Sequence, residues 1–177
     1  MRYSDQQAPS VEERLGRLED RAAILELHHR YGHLIDYGDP LGWVDCFTSD
    51  AVLEVHTVEG KTMRHCGRDA LLTFASAHSH APDLYHKHFT GVETVDIDVD
   101  RATCACYYIL LVGDRANFPA LATFGRYRDR LARGSDGRWR YTHRIAEAES
   151  WNPLWAELRG AGLARFLRAE PDPGRPS

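Results

Sequence analysis

With 177 residues, 27% of them charged and 43% hydrophobic, and a formal net charge of -4, the chain has the size and balance of one folded domain able to enclose a core or a ligand cavity. Acidic and basic residues are interspersed, leaving no continuous basic stripe for a phosphate backbone, and no apolar run is long enough to cross a bilayer. Nucleic acid and membrane are therefore not expected partners. The opening MRYSDQQAPS lacks the apolar centre of a signal peptide, so a cytoplasmic protein is expected. Cys46, Cys66, Cys104 and Cys106 show no C-x-x-C spacing, which argues against disulfides and zinc.

After a flexible N-terminus over residues 1–10, Ser10 and Glu13 form an S-x-x-E capping box. Leu15, Leu18, Ala22, Leu25, Leu27, Tyr31 and Leu34 then recur at helical spacing, predicting one helix from about residue 11 to 36. It stops at the Gly38–Pro40 turn. LGWVDCF reads as a short second helix with Trp43 and Phe47 on its apolar side. AVLEVHTV alternates like a strand, the stretch from Lys61 to His65 pairs with it, and GRDALLTFASAH returns to helical spacing. Four long strand segments follow: HKHFTGVETVDIDV, TCACYYILLVGD, ALATFGRYRDRLAR and RWRYTHRIAEAESW. This order predicts an α+β domain over 11–151, with a strongly curved mixed or antiparallel sheet wrapped against helices. Residues 152–169, holding PLWAELRGAGLARFL, are expected to form an amphipathic helix that caps a pocket or contacts another subunit, and 170–177 a disordered tail.

The stretch DLYHKHFTGVE places His86 and His88 on one face of a strand and Lys87 on the other. Together with Glu93 they meet an H-x-H-x4-E metal spacing, but the flanking glycines and the later histidine of that motif are missing. The expectation is no metal. Histidine, with an ordinary pKa of ~6.5, is the natural base for removing a proton near neutral pH, and His88 is the candidate.

The segments RAAILELHHRYGHLIDYGDPLGWVDCFTSDAVLEV and FGRYRDRLARGSDGRWRYTHR carry three motifs: Y-x4-D on the first helix, C-F-T-x-D-A after the second, and G-x-Y-x-D…DG-x-W-x4-R on the late strands. With these, the chain resembles the SnoaL-like domain of the nuclear transport factor 2-like superfamily, nearest to the scytalone dehydratase, bile acid 7α-dehydratase and lindane dehydrochlorinase group. The resemblance implies a cone-shaped α+β barrel around a long N-terminal helix and two shorter ones. It also implies a pairing of the helix aspartate with the strand histidine, which fall on Asp36 and His88. Tyr31 and Arg144 match an accompanying tyrosine and arginine. The asparagine that often follows the strand histidine by four positions is Val92 here.

On this reading Asp36 orients His88 and stabilises the imidazolium, while Tyr31 and Arg144 bind substrate oxygen. Such chemistry needs no cofactor. His86, Trp43, Phe47, Glu54, His56, Tyr107, Phe124 and Trp155 are expected around the substrate. Each has a plainer alternative: Asp36 as a turn residue, Tyr31 as core, Arg144 paired with Asp129. The expected function is a lyase (dehydratase) or isomerase acting on a small hydrophobic, oxygenated or cyclic molecule. The alternatives are a cyclase or epoxide hydrolase using Asp36 or Glu54 as general acid, and a non-catalytic binding module. The uncovered sheet face favours a homo-oligomer, and the resemblance implies a trimer or a dimer.

Overall fold

The capping box opens the first helix: the Ser10 hydroxyl accepts from the Glu13 backbone at 3.1 Å and the Glu13 carboxylate from the Ser10 backbone at 2.7 Å. The computed structural model describes residues 8–82, 84–113 and 119–152. Helix α1 spans Val11–Asp36, and α2 spans Pro40–Val44, with Asp39 capping it through Gly42 and Pro40 supplying the first-turn residue that needs no partner. Strands β1 (Phe47–His56) and β2 (Thr62–Cys66) form a hairpin, and α3 covers Gly67–Ala77. Then come β3 (Tyr85–Asp98), β4 (Arg101–Gly113), β5 (Pro119–Arg133) and β6 (Trp139–Trp151). The expected C-terminal helix and Trp155 lie outside the described residues. Among the described residues no helix is long and apolar enough to cross a membrane.

The six strands make one mixed sheet in the order β2-β1-β6-β5-β4-β3, antiparallel except for the parallel β1–β6 pair. Register shifts at Gly91/Thr94, Leu110/Leu111, Phe124/Gly125 and Arg130/Leu131 bend it. Gly125 is required at one of them, since a methyl there would collide with the Glu147 carbonyl. The helices lie on one side of the curved sheet, and the core between them is built on Ile24, Leu27, Trp43, Phe47, Leu53 and Tyr141.

One packing detail departs from expectation. The buried stripe of α1 runs through Ile24, Leu27, His28, Tyr31, Ile35 and Asp36, whereas Leu15 and Leu18 are exposed. Helical spacing identified the helix but not which of its turns meets the sheet.

Candidate active site

Helix α1 delivers its last residue, Asp36, against the start of β3. Gly32 permits the approach, because a Cβ there would stand 3.3 Å from the His88 carbonyl oxygen. One Asp36 oxygen accepts the His88 backbone N–H at 3.0 Å, and the other lies 2.5 Å from His88 Nδ1. A carboxylate only accepts, so Nδ1 carries the hydrogen and Nε2 keeps its lone pair. Burial works against the Asp36 carboxylate, but the His88 hydrogen bonds and charge outweigh it and hold the carboxyl below its ordinary value. Asp36 is therefore ionised at neutral pH.

His88 lines a cavity of about 730 Å³ between the sheet and the helices. Its apolar wall includes Ile35, Leu53, Val55, Phe74 and Leu110, and hairpin residues Val58 and Met63 sit at its edge. Tyr31, Tyr108, Tyr127 and Thr123 complete the lining, with the Tyr31 phenol hydrogen-bonded to Arg144, the Tyr108 phenol to Thr123, and the Thr123 hydroxyl donating to the Ser150 carbonyl at 2.5 Å. Tyr108 stacks on Tyr127 with ring centroids 4.6 Å apart, and burial pushes its phenol up to about 12, so it is a donor at neutral pH. The arrangement suits a mostly apolar molecule with a few oxygens.

The structure separates the remaining expected residues. Tyr31 lines the cavity, but Arg144 stands behind that wall, fully buried, with Nε and Nη2 each donating to Asp129 at 2.8 Å. Its guanidinium lies 4.0–4.2 Å from the ring centroids of Tyr31, Tyr127 and Tyr141. This corrects the expectation that Arg144 reaches substrate. Trp43 and Phe47 pack in the core against Tyr31, away from the cavity wall.

Tyr107 and Phe124, 60% and 44% exposed, belong to the opposite face of the sheet, because adjacent strand residues alternate and Tyr108 takes the inner position. Glu54 is likewise absent from the wall, occupied by His56 at 3.1 Å and His143 at 3.3 Å, while His56 does line the cavity. His86 is buried behind His78 and His88, with ring centroids at 5.1 and 6.4 Å. Burial and those two neighbours push it down to about 4.

Sequence reasoning missed His78, Tyr127, Thr123 and Trp151, all of which line the cavity. The alternation Cys104, Cys106, Tyr108 could have selected Tyr108 over Tyr107. No sequence signal places the end of α3 beside β3. Among the described residues, the ligand-type side chains with converging atoms are His28, Cys104 and Asp129, all buried. There His28 Nε2 faces the Cys104 sulfur at 3.4 Å and Asp129 at 3.3 Å, and Arg144 already holds both Asp129 oxygens.

A curved six-stranded sheet with helices packed on one side over a cavity defines a protein of the nuclear transport factor 2-like, cystatin-like fold. The family comparison agrees: the SnoaL-like domain model matches residues 16–145, and the chain belongs to that family. The family includes polyketide cyclases, isomerases and dehydratases. The chain is 26% identical to an aspartate-to-asparagine variant of Rv3472 from Mycobacterium tuberculosis, a protein of unknown function, covering 91% of this chain and 90% of that one with a TM-score of 0.69. It is also 26% identical to a nuclear transport factor 2-like protein from Novosphingobium aromaticivorans, covering 93% and 99% with a TM-score of 0.68. The fold of ActVI-ORFA from Streptomyces coelicolor is similar, at 19% identity, coverage of 74% and 98%, and a TM-score of 0.64. No curated protein matches the chain.

Proposed function

We propose that the protein is a cofactor-independent lyase or isomerase in which His88 removes a carbon-bound proton from a cyclic, oxygenated substrate. The observation that carries this reading is the Asp36–His88 pair: a carboxylate on Nδ1 at 2.5 Å fixes the tautomer in which Nε2 is the base, on a residue that lines the cavity. Tyr108, a phenol that stays protonated in the same wall, supplies a donor for the oxygen on which charge develops. The general-acid alternative finds less support. Asp36 is held below its ordinary value, and so is Glu54, chiefly by its hydrogen bond to His56 and outside the cavity wall. Exposed Phe89, Tyr107, Ile109 and Phe124 on strands β3 to β5 favour subunit contact through that sheet face.

The test is loss of water from a β-hydroxytetralone, which yields a naphthol, followed by mass. The wild type is expected to turn it over, and His88→Ala and Asp36→Asn to lose about 100-fold or more. Undiminished turnover by both variants would overturn the assignment.

A further inference from the structure

The first half of α1 carries a second apolar stripe, which the fold leaves uncovered. Val11, Leu15 and Leu18 are 71%, 53% and 65% exposed, Ala22 follows them on the exposed face, and Leu25 closes the series half-buried. Their spacing is four, three, four and three residues. The residues that meet the sheet run along a different line: Asp20, which accepts from the Trp139 indole at 3.0 Å, then Ile24, Leu27 and Tyr31. At about 3.6 residues per turn, Leu18 and Ala22 lie roughly 160° around the helix from Asp20. The stripe therefore points away from the body of the molecule.

Alternating steps of four and three form the seam of a coiled coil, in which the a and d positions face a partner helix and e and g flank them. Placing Leu15 and Ala22 at a, and Val11, Leu18 and Leu25 at d, fixes the flanks. Arg14 and Arg21 fall at g, and Glu12, Glu19 and Glu26 at e. In a parallel pair each g residue faces the e residue five positions later on the other helix, so Arg14 meets Glu19 and Arg21 meets Glu26, twice over by symmetry. An antiparallel pair would set arginine against arginine and glutamate against glutamate. Among the described residues no ion pair holds Arg14, Glu19 or Arg21, and Glu26 approaches only His29 on its own helix, at 3.9 Å.

We propose that the exposed half of α1 is a self-association surface, on which a second copy of this chain docks its own α1 in parallel about a two-fold axis along the two helices. This contact is separate from the outer sheet face and does not depend on the elimination reading. An isolated helix of two heptads is marginal in water because ordering it is costly. Here the helix is already formed, capped by Ser10 and Glu13 and anchored to the sheet through Ile24, Leu27 and Tyr31. Burial of Val11, Leu15 and Leu18 supplies the attraction, and the arginine–glutamate pairs set direction and register. Asp36 stands at the other end of α1, so changes over residues 11–26 leave the cavity lining intact.

The experiment is sedimentation velocity on the full chain over a concentration series, with circular dichroism to confirm folding. It compares the wild type, a variant with Arg14→Glu and Arg21→Glu that makes both flanks acidic, and the same variant with Glu19→Arg and Glu26→Arg added, which exchanges the signs and restores the pairs. The acidic variant is expected to have half the mass of the wild-type assembly, and the exchanged variant to recover it. Leu18→Cys, once oxidised, should yield peptides joined from residue 18 to residue 18, since equivalent d positions share a layer in a parallel pair. Equal masses for the wild type and the acidic variant, or an exchanged variant that stays at half mass, would overturn the pairing, and absence of the 18-to-18 link would overturn its direction. A wild-type monomer that instead sediments with phosphatidylserine vesicles, and no longer does so after Leu15→Ser with Leu18→Ser, would assign the stripe to a lipid surface and overturn the pairing too.

Discussion

Two histidine–aspartate pairs join α1 to the sheet, and they differ in what remains available. In the Asp36–His88 pair the side chains are 6% and 10% exposed, the carboxylate serves one histidine, and His88 lines the cavity. In the Asp129–His28 pair both side chains are fully buried, Arg144 occupies both carboxylate oxygens, and Ile24, Tyr141 and Cys104 surround the imidazole. The same two residue types thus leave an imidazole at a cavity wall in one place and form a closed brace among tyrosines and an arginine in the other. Arg144 illustrates the cost of assuming otherwise: sequence pattern marked it for substrate, and packing has committed it to Asp129.

Disturbing the carboxylate of each pair should therefore give opposite phenotypes. Asp36→Asn is expected to reduce turnover of the β-hydroxytetralone by ~10²–10⁴ while shifting unfolding free energy by only about 1–2 kcal/mol. Arg144→Met, which leaves the buried Asp129 carboxylate uncompensated, should cost about 3–5 kcal/mol, measured by urea denaturation.

The pair can also be probed through its neighbour. His86 binds its proton at about 4 when folded instead of 6.5, because burial, His78 and His88 oppose its charge. The unfolded chain therefore takes up that proton as pH falls below the ordinary value, so stability should decline from about pH 6.5 to about 4. The decline is about 2–4 kcal/mol. His86→Phe should flatten that part of the stability–pH curve.

On the substrate side, Tyr108→Phe keeps the stacking on Tyr127 and removes the phenol together with its hydrogen bond to Thr123, so a loss of about tenfold in kcat is expected (~1.4 kcal/mol). The smallest effect concerns Val92, which holds a left-handed φ of 58° at the β3 bulge and is 73% exposed. A β-branched residue is strained there, and Val92→Gly should raise the melting temperature, by about 0.5–1 kcal/mol of stability.

Much of this was legible in the chain. The capping box, the Gly38–Pro40 stop and the alternation of the four long strands set the element order, and Y-x4-D with H-K-H marked the two residues that the fold brings to 2.5 Å. What was not legible depends on register and contact. Four register shifts in β3 to β6 defeat parity counting over a whole strand. Tyr107 and Phe124 are a different case: they lie on the outer face, where the unbroken alternation of Cys104, Cys106 and Tyr108 already puts Tyr107. His78 joins the cavity through the loop anchored on the Asp36 carbonyl, a contact between segments 45 residues apart with no local signature.

The proposed reaction begins with removal of a proton next to a carbonyl, so the most direct test bypasses the later steps. α-Tetralone in deuterium oxide, followed by proton NMR, reports that removal alone. The wild type is expected to exchange the hydrogens beside the carbonyl, His28→Gln to retain most of that rate among its folded molecules, and His88→Ala and Asp36→Asn to lose it. Exchange at the wild-type rate in both His88→Ala and Asp36→Asn, or none in the wild type, would contradict a base held by Asp36 at the cavity wall.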